Sequence, residues 1–306
     1  MKYSIGNVRV TNYGVDINEL YSDGAIEYEF LNWVQQENFN EEEILEADNR
    51  WPVLYYFSKN RWNLLDWYPF ERHSKILEVG AGCGALTGLL CEKVDHVYAL
   101  EMSELRSKIL AYRHKTRKNL KVMIADINNY QSDELFDYVT LIGILEYAGK
   151  FSINRNEFNF NPYQTLLENV RKTLRPNGKL LIAIENKFGL KYWSGAKEDH
   201  TGNLHENIEG YRMNRGIKTF SLKELKSLLF SSGFKNLKIY YPYPDYKLPE
   251  VVFSDDHLPS IGQLNSYYNY ERDRYVFFNE KNVINELIKD NQFPMFSNSF
   301  LIEATN

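Results

Sequence analysis

The chain has 306 residues, 43% hydrophobic and 25% charged, enough to bury a full core in one enlarged domain or one domain with a cap. A formal net charge of -5 with scattered lysines and arginines offers no basic face for a nucleic-acid backbone, and the cationic run Arg113 to Lys118 reads as a solvated helix end. Two cysteines, Cys83 and Cys91, suggest neither a disulfide framework nor a zinc site. The first twenty residues lack the continuous apolar core of a signal peptide or membrane span, so no membrane insertion and a cytoplasmic location are expected.

Residues 1–72 read as a helical and aromatic extension, with apolar positions at three-to-four spacing through FLNWVQQENFNEEEILEADNRWPVLYYFS. Alternating elements follow: a strand at Lys75 to Val79, a helix from about Ala85 to Lys93, a strand at His96 to Glu101, and a helix from Glu104 to Lys118. Strands at Lys121 to Ala125 and Phe136 to Ile142 come next. After Pro162 a helix reaches Leu174, RPNG makes a turn, and LLIAIE forms a buried strand. A Ser-x-x-Glu capping box, Ser221 to Glu224, opens a helix that stops at Gly233; the strand KNLKIYY follows, and Ser299 to Ala304 closes the pattern.

This rhythm predicts an α/β fold, a mostly parallel sheet with helices on both faces. Residues 73–241 form its core, and residues 299–306 return to it as a closing strand. The stretch 242–298 is too long for a hairpin loop and is expected to be an inserted lid.

The strongest local signal is a hydrophobic strand that runs directly into Gly80, Ala81, Gly82 and Gly84, and then into a helix. Glycines here permit a tight turn and close approach of a ligand, at the strand edge where open parallel sheets bind ligands. Taken alone, Gly80-x-Gly82-x-x-Ala85 also satisfies the dinucleotide fingerprint, so a nicotinamide-dependent oxidoreductase stays open, as does a noncatalytic binding subunit. Glu78 lies two residues before the turn. Glu101 ends the second strand, next to Met102, where a carboxylate can accept both ribose hydroxyls. Asp126 ends the third, placed for an adenine amino group with Ile127 against the ring; a solvated loop aspartate is the plainer alternative.

Glu78-x-Gly80-x-Gly82-x-Gly84, Glu101, Ala125-Asp126-Ile127 and FDYVTLIGILEY resemble the ordered motifs of class I S-adenosylmethionine-dependent methyltransferases. The resemblance covers roughly Lys75 to Tyr241 and returns at Ser299 to Ala304. It implies a Rossmann-like sheet of seven strands, the last antiparallel, with S-adenosyl-L-methionine as cofactor. By that match Gly80 and Gly82 flank the amino-acid portion, Glu101 binds ribose, Asp126 binds the adenine amine, and Gly143 lies by the sulfonium. Glu146 and Tyr147 would stand beside the transferred methyl, Tyr147 where many relatives have histidine. A narrower resemblance runs through IENKFGLKYWSGAKEDHTG, YYPYPDYKLPEVVFSDDHLP and FPMFSNSFLIEA, to methyltransferases of bacterial surface-polysaccharide assembly. It implies a glycan or related small-molecule acceptor.

Methyl transfer from a sulfonium requires alignment above all, and a hydroxyl acceptor gains further from a base. His200, in the KEDHTG loop, is expected as that base, with Asp199 to orient it or bind a substrate hydroxyl. Glu185 and Asn186 end the fifth strand near the expected acceptor, or else cap their loop. Tyr192 and Trp193 offer a wall for a sugar face or pack beneath the loop, and the same two readings apply to Tyr55, Tyr56, Tyr240, Tyr241, Tyr243 and Tyr246. His200, His205 and Glu206 show no compact ligand spacing, so no metal is expected.

Overall fold

The computed structural model describes residues 1–14, 22–131, 134–150, 160–212, 216–265 and 274–306. They form two compact units: residues 1–142, 169–180 and 306, and residues 143–168 and 181–305.

The first unit opens on a hairpin, β1 (Lys2–Ile5) and β2 (Val8–Asn12), with Lys2 opposite Thr11 and Ile5 opposite Val8. The helices α1 (Ile26–Gln35), α2 (Glu41–Ala47) and α3 (Trp51–Phe57) follow. After them come β3 (Lys75–Val79), α4 (Thr87–Lys93), β4 (His96–Glu101), α5 (Glu104–Arg113), β5 (Leu120–Ile124) and β6 (Phe136–Ile142). Strand order is β1-β2-β5-β4-β3-β6. From β2 to β6 all neighbours are parallel, so β3, β4 and β5 end on one edge. Ile76, Leu77, Val97, Ala99 and Val122 are fully buried, as expected of strands covered on both faces.

Residues 1–72 are therefore not helical throughout: the hairpin adds two strands to the sheet. It also shortens α5, expected to reach Lys118. The Lys115 carbonyl accepts the Asn7 N–H at 2.7 Å, a bond made to the hairpin rather than along a helix. The helices of this segment build a core of their own, with Phe30, Val34, Val53, Tyr56 and Phe57 buried beside Cys83 and Ile109. Phe30 meets Phe57 edge to face at 5.0 Å, and full burial of such a side chain contributes about 1.5–3 kcal/mol.

The boundary between units falls within α6 (Pro162–Thr173) and β7 (Leu174–Glu185). The expected RPNG turn is instead the start of β7. Asn177 takes φ 62 there, while the Gly178 carbonyl accepts the Asn306 N–H at 2.9 Å. The second unit continues with α7 (Leu190–Trp193), α8 (Leu222–Ser231), β8 (Lys235–Tyr243), β9 (Val251–Ser254), α9 (Glu280–Lys289), α10 (Phe293–Phe296) and β10 (Ser299–Thr305). Its order is β7-β10-β8-β9, and β10 runs antiparallel to β8, with Leu301 opposite Tyr240. The Ser221–Glu224 capping box is present at the start of α8.

Among the described residues ten strands thus replace the expected seven. Strands β3 to β8 and β10 take the expected places; the hairpin is added beyond β5, and β9 pairs antiparallel with β8. The segment 242–298 supplies the end of β8, β9, α9 and α10, with residues 266–273 of the expected lid outside the described residues. No described helix is long and apolar enough to cross a membrane.

Candidate functional site

In the first unit the glycine turn is held from several sides. Gly80, Gly82 and Gly84 all have positive φ, between 55° and 80°. The Gly80 and Ala81 N–H groups donate to the Leu100 carbonyl. Glu101 anchors the turn directly: Oε2 accepts the Gly82 N–H and Oε1 accepts the Ser103 N–H, both at 2.8 Å. A carboxylate offers about four acceptor positions, so Glu101 keeps capacity for ribose hydroxyls.

At Gly84 a built Cβ would lie 2.9 Å from His114 Nε2, so only glycine fits. His114 donates from Nε2 to the Gly84 carbonyl at 2.8 Å. Burial, and then Arg113, hold its imidazole down at about 3. Glu78 Oε2 accepts the Thr87 hydroxyl at 2.6 Å, and burial pushes the carboxyl up to about 7.

Asp126 is half-buried and organises its own loop, Oδ1 accepting from both nitrogens of Asn128 and Oδ2 from Asn129 Nδ2 at 3.3 Å. The plainer reading, a loop-capping aspartate, describes these contacts. Oδ2 retains acceptor capacity for an amine. Ile127 is buried and Met102 half-buried. Beside the turn, Arg106 binds Glu27 and Asp23, with Nε 2.8 Å from Glu27 Oε1 and a terminal nitrogen 2.8 Å from Asp23 Oδ2. Tyr56 donates to Asp23 at 2.8 Å and lies 3.5 Å from a Cβ built on Gly82. Tyr55 and Tyr56 serve this packed layer.

The second unit gathers charge of a different kind. Gly143 takes φ 68, and a Cβ there would meet the hydroxyl of buried Tyr246 at 2.8 Å. Within the 3-10 turn Leu145–Tyr147, Glu146 is buried, as is Glu185 at the end of β7. His200 Nε2 faces both, 3.7 Å from Glu146 Oε1 and 3.9 Å from Glu185 Oε2. Its Nδ1 lies 2.8 Å from Glu198 Oε1. Glu198 also accepts the Tyr211 hydroxyl at 3.1 Å and the N–H groups of His200 and Thr201.

Glu198, then, orients His200. Asp199, expected in that role, faces elsewhere: it accepts from Lys247 Nζ at 2.8 Å, Lys191 Nζ and the Tyr192 hydroxyl. Despite burial, Lys191 and Lys247 hold its carboxyl well below the usual range. Burial works against charge on His200, but Glu185, Glu146 and Glu198 outweigh it and raise the imidazole well above its ordinary value. That direction runs against the role of general base expected of His200.

Other expected contacts prove structural. Asn186 is fully buried, donating from Nδ2 to the carbonyls of Met295 at 2.8 Å and Ser297 at 2.7 Å while Oδ1 accepts the Phe188 N–H. Its polar atoms are engaged, and it caps the loop rather than facing an acceptor. Tyr192 is buried and supports Asp199; Trp193 is 42% exposed and donates to the Phe188 carbonyl. Tyr147 sets its ring edge-on to His200 at 5.2 Å. Of the other tyrosines named from the sequence, Tyr241, Tyr243 and Tyr246 are core. His205 packs by Phe277 and Glu206 binds Asn203, neither joining the cluster.

Glu198 and Lys247 escaped the sequence reading, although Glu198 stands inside the KEDHTG loop that drew attention to its neighbours.

The fold and the glycine turn define a class, and the comparison agrees: residues 77–180 match the family described as a methyltransferase domain. The chain carries an α/β methyltransferase fold, and S-adenosylmethionine is the cofactor. Over 230 residues, 72% of this chain and 75% of the relative, it is 24% identical to ribosomal RNA small subunit methyltransferase A of Mycoplasma mycoides subsp. mycoides. Among solved structures it is similar to a Thermotoga maritima methyltransferase described as a possible histamine N-methyltransferase, with 16% identity over 87% of this chain and 96% of that one, TM-score 0.48. Another is a Haloferax volcanii putative methyltransferase in complex with the Trm112 activator, with 15% identity, 90% and 97% coverage, and TM-score 0.49.

Proposed function

We propose that the chain methylates a hydroxyl oxygen of a carbohydrate-type acceptor, with the first unit binding the donor and the second handling the acceptor. One observation carries this reading. Glu146 Oε2 and Glu185 Oε2 are buried and accept no hydrogen bond among the described residues, while Glu185 Oε1 is paired with the Lys247 ammonium at 3.1 Å. Buried acceptors without donors are costly, and a substrate rich in hydroxyls supplies donors.

In this reading Glu101 and the glycine turn hold the ribose and amino-acid portions of the cofactor, and Asp126 its adenine amine. When bound, the cofactor supplies an activated methyl on a sulfonium: the C–S bond breaks as the C–O bond forms. Glu146 Oε2 takes the hydroxyl proton, a contribution of about a hundredfold to ten-thousandfold. His200, fixed by Glu198, offsets the charge of the paired glutamates, and Lys247 ties the 242–298 segment to Glu185 at 3.1 Å. The surface-glycan resemblance of the IENKFGLKYWSGAKEDHTG stretch supports the same acceptor class.

The test offers donor with a labelled methyl to glycan and RNA fractions of a bacterial extract, with mass spectrometry of the product. Label on a glycan oxygen is expected, falling at least a hundredfold with Glu146→Gln while donor affinity holds. Label in RNA, as the ribosomal relative would suggest, overturns the acceptor and leaves the methyltransferase.

A further inference from the structure

We propose that His200, Glu146 and Glu185 bind a divalent cation of the Mn2+ or Zn2+ type, with Glu198 as the carboxylate that orients the histidine ligand. One ligand atom from each of the three residues lies within 4.8 Å of the others. The residues come from three separate stretches, the turn after β6, the end of β7 and the KEDHTG loop, and the sequence shows no metal spacing for that reason.

Three features point to a ligand. The separations from His200 Nε2, 3.7 and 3.9 Å, are too long for a hydrogen bond. They match two metal bonds of about 2.0–2.2 Å meeting at a wide angle. Both acids are fully buried; Glu146 Oε2 and Glu185 Oε2 accept no hydrogen bond among the described residues, and Glu185 Oε1 is paired with the Lys247 ammonium at 3.1 Å.

Finally, His200 is already arranged as metal-bound histidines are. Nδ1 donates to a carboxylate at 2.8 Å, which leaves Nε2 to face the two glutamates. Glu198 cannot itself ligate, since its two oxygens already accept from His200, Thr201 and Tyr211.

Charge leads to the same place. Buried Glu146, Glu185, Glu198 and Asp245 and half-buried Asp199 lie around the ammonium groups of Lys191 and Lys247 and the imidazole of His200. A divalent ion offsets the excess. One imidazole with two carboxylates is a mixed donor set, which favours Mn2+, Fe2+ or Zn2+ over a site built from oxygens alone, as Mg2+ and Ca2+ prefer. The ion would take Glu146 Oε1 and Glu185 Oε2, leaving Glu146 Oε2 free for the hydroxyl proton. Ion binding stands apart from the acceptor reading; only a role in orienting the acceptor oxygen rests on it.

The experiment titrates Mn2+, and separately Zn2+, into the full chain after chelator treatment, followed by calorimetry and, for Mn2+, electron paramagnetic resonance. One ion per chain is expected. Glu146→Gln and Glu185→Gln, which keep side-chain volume, should each weaken it at least tenfold, and Glu198→Gln about 10–100-fold. Circular dichroism confirms that each variant is folded. Absence of one-to-one binding by the folded wild type at 1 mM of either ion, or equal affinity in both ligand variants, overturns the proposal. Methyl transfer is measured on the same samples, so an ion that binds without altering turnover leaves the site standing and removes its part in the chemistry.

Discussion

In the first unit Glu27 and Asp23 meet Arg106 directly, and Tyr56 completes the set with a hydroxyl. In the second, buried Glu146, Glu185, Glu198 and Asp245 and half-buried Asp199 gather round two lysines and a histidine, and Glu146 Oε2 and Glu185 Oε2 accept no hydrogen bond among the described residues. The first arrangement is closed: each charge has its partner, and the group fixes α1 and α3 beside the glycine turn. The second is open, with more negative charge than its neighbours offset. A buried network of the first type serves structure, whereas one of the second type holds unfavourable energy that a ligand can relieve.

Arg106→Met tests the closed network most severely. It strands the buried Glu27 carboxylate without its partner, and breaking such a pair costs about 3–5 kcal/mol. Chemical denaturation should register this as a lower midpoint; an unchanged midpoint would show that the pair carries no weight.

Next in size is the pH dependence of Glu78, which faces Thr87, Arg61, Glu101 and Arg113. Its folded value, about 7, lies above the ordinary 4.5. The folded state therefore holds the proton more tightly, and this contribution is complete below about 4.5 and lost as pH rises to about 7. The loss amounts to about 3 kcal/mol. Because His114, held at about 3, tilts stability the opposite way between its folded value and 6.5, the difference between wild type and Glu78→Gln isolates the effect. The variant should be relatively more stable at pH 8 than at pH 5, and parallel curves across that range would refute the assignment.

Glu101→Gln should weaken donor binding by about 1.5–3 kcal/mol, the contribution of a hydrogen bond to a charged group. Melting should fall as well, because Gly82 or Ser103 loses its acceptor. Calorimetry with the demethylated cofactor measures the first and thermal denaturation the second; full affinity would remove Glu101 from the ribose site.

The smallest effect sharpens the comparison most. Glu185→Gln removes surplus negative charge from the open cluster, so stability should hold or rise by about 1 kcal/mol, opposite in sign to Arg106→Met. Destabilisation beyond about 2 kcal/mol would make the second network closed like the first.

The glycine turn was legible in sequence because its cause is local: close backbone approach at positive φ requires glycine wherever it occurs. Strand Phe136–Ile142 and the Ser221–Glu224 box were legible for similar reasons, a buried apolar run and a cap four residues long. The hairpin was not, since short strands of mixed polarity gain their place by pairing β2 with β5, far along the chain. In KEDHTG, pattern draws attention to the loop but cannot say which of Glu198 and Asp199 turns toward His200. The turn and the distant Lys247 decide that.

Asn186 carries one further consequence, in the order of synthesis. Most of the first unit is contained in residues 1–142 and can fold as it emerges from the ribosome, N-terminal part first. The Asn186 amide must wait for the carbonyls of Met295 and Ser297, more than a hundred residues later. Until those arrive, the end of β7 that bears Glu185 has no fixed seat. The end of β7 is thus seated only once Met295 and Ser297 have been made, and nascent chains stalled before Met295 should display a finished glycine turn and no ordered acid site.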